Sequence, residues 1–437
     1  MVNVITRAKN IRPGFSLVLN MPTPVFLLRV ARARLSSMFG MFALATALGA
    51  CTSPKDEPSD SLVVGLLLPF TGASVGTAYN FERAALFAQE RVSAAGGVNG
   101  HPFRIISADT HSDLARARGS VDSLLNAGAT VVVGPESAEI AEQIAPYLAE
   151  RGITFLSPLI GAASDAEVDC GTPWFRLAPS AQDLGEALAK QIAAANVKVI
   201  TVMCARTTYD EALCDSLVTR FTSLKGEVRL TVSLDPNQQS YATEVHAAQA
   251  ASSDAIVLSA SPKTGAVVVS EFELLSTTKP VWFLSPLLKT DLLLQNIVPG
   301  ALEGARGVAP KIYDSIGNFP EAFAHRWHGD QPLEGADFYY DAVALLAFAM
   351  NSITPNSDDS GFRSVALDSA LRRVSAPPGS SVGWDDIDAG LARQRAGASI
   401  YYSGLTGPLL FRSCGERAGG ASSQWHVHQG KIITDSD

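Results

Sequence analysis

The chain has 437 residues, 47% of them hydrophobic, with 43 acidic against 34 basic side chains and a formal net charge of −9. That length exceeds one ordinary core and calls for two lobes or domains, and the apolar fraction excludes a largely disordered chain. The acidic balance makes nucleic acid and anionic lipid head groups poor partners.

Residues 1–50 read as a lipoprotein signal peptide. Arg29, Arg32 and Arg34 precede the run Met38–Ala50, which is apolar and closes on small residues, the layout of a secretory leader. The run is well short of the ~20 residues that a spanning helix needs. Leu48-Gly49-Ala50-Cys51 has the form of a bacterial lipobox, with cleavage before Cys51 and lipid on its thiol. The expected location is the cell envelope, facing the periplasm and anchored to a membrane, inner or outer, through Cys51. Met21 would give a leader of more ordinary length than Met1. Losing the six basic residues of the leader takes the formal charge from −9 to −15. Residues 51–61 are polar and acidic, with Pro54 and Pro58, and read as a tether.

From Leu62 the pattern becomes strand–helix alternation. Leu62–Leu68 is a continuous apolar run, as expected of a strand covered on both faces. Phe81, Ala84, Ala88, Val92 and Ala95 keep helical spacing. Phe103–Ala108 is a strand, and Ser112 is the expected N-cap of the helix carrying Leu114, Ala117, Val121 and Leu124. Further strands fit 130–133, 153–156, 197–203, 228–233, 255–259 and 281–284. Further helices fit 137–150, 181–195, 209–224, 241–251, 264–275, 319–327, 337–352 and 364–374. Thr354–Gly361 and Ser375–Gly383 read as surface loops. Such repeated units predict an α/β fold with parallel sheets covered by helices.

Four cysteines besides Cys51 suit disulfides in an exported chain. Cys204 ends a strand and Cys214 lies early in the next helix, which favours that pairing and, by subtraction, Cys170 with Cys414. The chemistry of an enzyme is poorly represented. Gly72-Ala73-Ser74-Val75-Gly76 matches G-x-S-x-G, but the serine is not directly on a strand-to-helix turn inside a sheet. Asp109, His111 and Asp113 fit a strand end and a capped helix better than a metal site. His426 and His428 share one strand face. No phosphate loop or dinucleotide fingerprint is present, so no cofactor is expected.

Several segments together resemble type I periplasmic binding proteins, the leucine/isoleucine/valine-binding type of ABC-transporter receptor. They are Val64–Gly72, Ala94–Gly100, Asp109-Thr110, Val131–Pro135, Leu156-Ser157-Pro158, Tyr339–Val343 and Gly404–Leu409. The resemblance implies two Rossmann-like lobes joined by three crossover strands, with hinge closure on a ligand between them. Lobe 1 would take 61–180 and 306–400; lobe 2 would take 181–305 and 401–437. Strand ends would supply the ligand site. Gly134-Pro135-Glu136-Ser137 begins a helix whose free N–H groups favour an anionic group, with Ser137 and Ala138 as the contacts. Leu159 and Gly161 follow the next strand, with Gly161 where the family uses a threonine. Tyr209 matches the family's cleft tyrosine. Ser261 stands where an aromatic residue is common, and Leu287 where the family has a carboxylate for the ligand's ammonium.

The function implied is a lipid-anchored solute-binding protein, not an enzyme. It would capture a small polar ligand, amino-acid-like or carboxylate-bearing, for an ABC permease or a membrane sensor. The missing threonine and carboxylate make branched-chain amino acids doubtful ligands. An alternative is an outer-membrane lipoprotein of the type that activates penicillin-binding proteins by surface contact. Thr52 after Cys51 permits outer-membrane sorting.

Overall fold

The computed structural model describes residues 61–72, 75–161, 174–276, 279–313, 318–353 and 364–435. The first lobe opens with β1 (Leu62–Leu68), α1 (Val75–Ala94), β2 (Phe103–Asp109), α2 (Leu114–Asn126), β3 (Val131–Val133), α3 (Ala138–Ala149), β4 (Thr154–Ser157) and β5 (Trp174–Arg176). The chain crosses to the second lobe with α4 (Ala181–Ala194), β6 (Val199–Ala205), α5 (Thr208–Ser223), β7 (Glu227–Leu234) and α6 (Ala242–Ala250). That lobe continues with β8 (Ala255–Ser259), α7 (Pro262–Leu275), β9 (Trp282–Leu284), α8 (Asp291–Gln295) and β10 (Arg306–Pro310). The return supplies α9 (Phe319–Arg326), α10 (Ala336–Asn351), α11 (Ser364–Val374), β11 (Ser380–Val382), α12 (Ile387–Arg395), β12 (Ile400–Gly404) and β13 (Gly407–Pro408). A last crossing leads to β14 (Ser422–His428) and β15 (Lys431–Thr434).

The lobe 1 sheet runs β2-β1-β3-β4-β5, parallel throughout. Every residue of β1 is buried, as its unbroken apolar run requires. Helix α10 is buried along its whole length, with Asp337, Asp341 and Asn351 as its polar residues. Asp341 is satisfied: Tyr402 Oη, Leu405 N, Thr406 N and Thr406 Oγ1 all donate to it at 2.7–3.0 Å. The lobe 2 sheet runs β15-β14-β10-β9-β8-β6-β7, parallel from β7 to β10 and antiparallel at β14 and β15. Cys204 at the end of β6 and Cys214 in α5 are joined by a disulfide. Cys414 is also disulfide-bonded, while Cys170 and Cys51 lie outside the described residues.

Strand pairing moves two of the expected lobe boundaries. Arg306–Pro310, expected to open the return to lobe 1, pairs with β9 and β14 in the lobe 2 sheet. Residues from 401 onward, expected in lobe 2, remain with lobe 1 as far as β13, because buried Tyr402, Leu405 and Leu409 join the core around α10. Local pattern could not show this, since the partner of β10 is more than a hundred residues away. The three crossings therefore fall near 177–180, 311–313 and 418–421. They run side by side: Lys311 N donates to Ala421 O at 2.8 Å, and Arg417 Nη1 donates to Leu177 O at 3.1 Å.

Two smaller expectations also change. Asp113, not Ser112, caps α2; its carboxylate accepts from Ala115 N and Arg116 N, whereas Ser112 sits at φ 50° in the turn before it. Part of the loop expected at 375–383 forms β11, which pairs in parallel with β12. Thr354–Gly361 and the serine of G-x-S-x-G lie outside the described residues. No helix among the described residues is long and apolar enough to cross a membrane.

Candidate ligand cleft

The loops at the carboxyl ends of the parallel strands are where open α/β sheets place ligands. In this chain those loops from the two lobes meet. Thr208 Oγ1, at the start of α5, donates to Glu142 Oε2 of α3 at 3.5 Å. Lys289, beyond β9, is only 9% exposed and stands 3.1 Å from Glu334 Oε2, just before α10. These contacts join the strand-end loops of the two lobes at two places.

The expected site residues are divided between the two lobes. Ser137 caps α3, its Oγ accepting from Ile140 N at 3.3 Å and donating to Glu139 Oε2 at 2.7 Å. Ala138 is the first residue of that helix and is half-buried. Leu159, after β4, packs into the lobe 1 core, and the space it uses exists because residue 335 is glycine: a Cβ there would lie 2.7 Å from Leu159 Cδ2. Gly161 is buried, and a Cβ on it would fall 1.9 Å from the carbonyl oxygen of Pro179. The first crossover thus occupies the room that a threonine side chain would need.

In lobe 2, Tyr209 is half-buried at the start of α5, packed against the core below it. Burial, with the neighbouring Asp210, pushes its phenol well above the ordinary range. Asp210 is 1% exposed and accepts from Thr207 Oγ1 and Ser259 Oγ at 2.7 and 2.6 Å, which ties the ends of β6 and β8 together. Ser261 is an exposed N-cap of α7, accepting from Thr264 N. Leu287 is 42% exposed, and the charged group that follows it is the cation Lys289. Tyr209 and Ser261 thus stand at the ends of adjacent strands, as do Ser137 and Leu159.

The most unusual group was not singled out from the sequence. Both carboxylate oxygens of Glu136, in the turn between β3 and α3, are buried and take no hydrogen bond from any other described residue, its own backbone N–H alone acting to steady the charge. Burial, with the charges of Asp109 and Glu139, raises its pKa from 4.5 to about 7. The phenol of Tyr339 in α10 lies near enough for the Glu136 charge to act on it; its hydroxyl is likewise buried and unpartnered. Asp337, two residues earlier on α10, has a buried Oδ2 without a partner among the described residues, and burial with Glu334 and Asp341 pushes its pKa well up against the pull of Lys289. The helix start expected to favour an anion therefore already carries Ser137, Glu139 and the buried Glu136. A second anion there would meet like charge at close range.

Asp109, His111 and Thr71 form a knot beside this turn. Thr71 Oγ1 donates to Asp109 Oδ2 at 2.6 Å, and His111 Nδ1 lies 2.9 Å from both Thr71 Oγ1 and Asp109 Oδ2. Although burial works against it, hydrogen bonds from Thr71 and His111 hold the Asp109 carboxyl below its ordinary value. One ring nitrogen meets both partners, so the knot closes a turn. A nucleophile relay would use one nitrogen for the hydroxyl and the other for the acid. Asp113 caps α2 instead of joining this group. His426 and His428 do share a face of β14, against Asp435 and Glu303. Among the described residues no three His, Cys, Asp or Glu side chains converge as metal ligands.

Residues 61–388 match the family model described as periplasmic binding protein. Solved structures share the fold at low identity. A leucine-binding protein from Thermotoga maritima is 16% identical with a TM-score of 0.70, over 86% of this chain and 98% of that one. A branched-chain amino acid substrate-binding protein from Streptococcus pneumoniae, in complex with isoleucine, is 14% identical with a TM-score of 0.68, over 86% and 100%. A solute-binding protein of an ABC transporter from R. palustris, in complex with benzoate, is 16% identical with a TM-score of 0.68, over 86% and 95%. No curated protein matches.

Proposed function

The chain belongs to the periplasmic binding protein family, and on that premise we propose that it captures a small solute between its lobes and presents it to an ABC permease or a membrane sensor. The observation that carries this reading is the meeting of strand-end loops from both lobes, with Glu142···Thr208 and Lys289–Glu334 spanning the gap. Ser137, Ala138, Leu159, Tyr209 and Ser261 would line the gap. Gly161 would contribute backbone only. The relatives named above bind leucine, isoleucine or benzoate, solutes of the size such a cleft accepts. The role asks for recognition and release, not for catalysis.

Lipid on Cys51 would hold the protein at a membrane surface, and residues 51–61 would act as its tether. Cys51→Ala should move the protein from the membrane fraction to the soluble one. The binding reading is tested by calorimetry and thermal shift of the mature protein against amino acids, organic acids and amines. Saturable binding of at least one small solute at micromolar to millimolar concentration is expected. No binding across the screen would overturn the reading.

A further inference from the structure

We propose that the cleft end of lobe 1 binds the ammonium group of a cationic amine, with Glu136 as the counter-charge and Tyr339 as a neutral acceptor. This deepens the solute-binding reading and rests on it. Three observations carry it. Both Glu136 oxygens and the hydroxyl of Tyr339, a residue 0% exposed, are buried and take no hydrogen bond from any other described residue. A buried carboxylate normally has a cation or several donors to hold it. The acid is not isolated: Glu139 and Glu142 follow in the first two turns of α3, and the charge of Glu139 acts on Glu136. Across the gap the next acid is Asp210, whose pKa burial raises first and Glu139 raises further.

The local field is therefore negative from both lobes. Of the buried cations near these loops, Lys289 pairs with Glu334, and Arg176, 3.6 Å from Glu416, also acts on Glu142. A carboxylate-bearing solute would have no charge partner at Glu136. An ammonium would gain one, and would also donate to Tyr339 Oη. Metal chelation is not the alternative, because a stripe of acids spaced along a helix does not converge on one point. The counter-charge absent at Leu287 in lobe 2 is thus supplied from lobe 1, in a turn where the sequence resemblance placed a contact for an anion.

The test compares three four-carbon probes of matched length: putrescine, 1,4-butanediol and succinate, with leucine and benzoate beside them. Putrescine should bind the wild-type protein, and the diol and succinate should not. Glu136→Gln should weaken putrescine roughly 30-fold, the cost of losing one partner of a buried ion pair. Tyr339→Phe should weaken it about fivefold, as for a neutral hydrogen bond. Glu136→Gln removes an unpaired charge, so it should fold at least as well as the wild type, and its thermal midpoint reports that directly. Leucine, benzoate or succinate binding without putrescine would overturn the amine assignment and leave the solute-binding reading standing. Unchanged putrescine affinity in Glu136→Gln would overturn it too. Failure of all five, followed by failure of the wider solute screen, would sink both.

Discussion

Glu136 makes a sharp prediction about stability as a function of pH. Burial raises its pKa from 4.5 to about 7 in the folded, unliganded protein. The groups that face it are Asp109 from β2, Glu139 from α3 and Tyr339 from α10. Because the folded value lies above the unfolded one, the native state holds its proton more tightly. Between pH 4.5 and 7 the native chain therefore carries more protons than the unfolded chain, and stability falls as pH rises. The stabilisation is complete below about 4.5 and gone above about 7. The move from 4.5 to about 7 is worth ~3 kcal/mol at 1.36 kcal/mol per pKa unit. Glutamine has nearly the shape of the protonated acid and cannot ionise. Glu136→Gln should therefore match the wild type near pH 4.5 and exceed it by ~2–3 kcal/mol at pH 8. At about 2 °C per kcal/mol that is a thermal midpoint roughly 5 °C higher.

The assay is thermal or urea unfolding of both proteins at half-unit pH steps from 4.5 to 8.5. A difference that stays flat across that range, or a variant less stable at pH 8, would refute the burial argument. Adding putrescine should close the gap at pH 8 by stabilising the wild type alone, since a bound cation repays the ionised carboxylate. A group that weakens the empty protein and strengthens the loaded one is characteristic of a binding site.

Gly161→Thr should destabilise the protein by at least ~2 kcal/mol, because the new Cβ would fall 1.9 Å from Pro179 O, and it should confer no leucine binding; a fully stable variant that binds leucine would contradict the crowding seen here. Reducing or replacing the Cys204–Cys214 disulfide, which closes a loop over a sequence separation of ten, should cost about 3 kcal/mol in chemical unfolding. Ser137→Ala should cost about 1 kcal/mol by uncapping α3, and a tenfold larger effect on ligand affinity than this stability loss implies would identify Ser137 as a direct contact.

The strand–helix alternation was legible because it rests on local periodicity. Strand β1 is a single apolar run, and it is buried at every position. The later strands were less visible. Strand β10 is short and has Gly307 as its second residue, where a Cβ would lie 2.5 Å from the Trp425 ring. Its place in the lobe 2 sheet depends on β14, far along the chain. The α2 cap shifted by one residue because Asp113 competes with Ser112 for the same N–H groups, and the chain turns through positive φ at His111 and Ser112 first. In the cleft, Ser137 and Ser261 were readable as capping residues. Glu136 was not, since a glutamate in a turn is usually solvated. Its surroundings depend on long-range packing, since the Tyr339 phenol, from a helix two hundred residues away, lies near enough for the Glu136 charge to act on it.

The two edges of the cleft carry opposite electrostatics, and this ties the site to closure. At one edge Lys289 of lobe 2 attracts Glu334 and Asp337 of lobe 1. At the other, the charge of Glu139 of lobe 1 acts on Asp210 of lobe 2, while the Thr208–Glu142 hydrogen bond draws the lobes together. Burial, with the nearby Glu139, raises the Glu142 pKa against the Thr208 hydrogen bond and the charge of Arg176, so this edge resists desolvation. A cation entering between Glu136 and the α5 start would reverse the balance at the repelling edge and leave the attracting edge unchanged. Ligand charge, and not only ligand shape, would then determine how far the lobes close. Neutralising the repelling edge by Glu139→Gln should mimic part of that effect. The unliganded variant should have a smaller radius of gyration by X-ray scattering than the unliganded wild type. An unchanged radius would mean that closure does not depend on these acids.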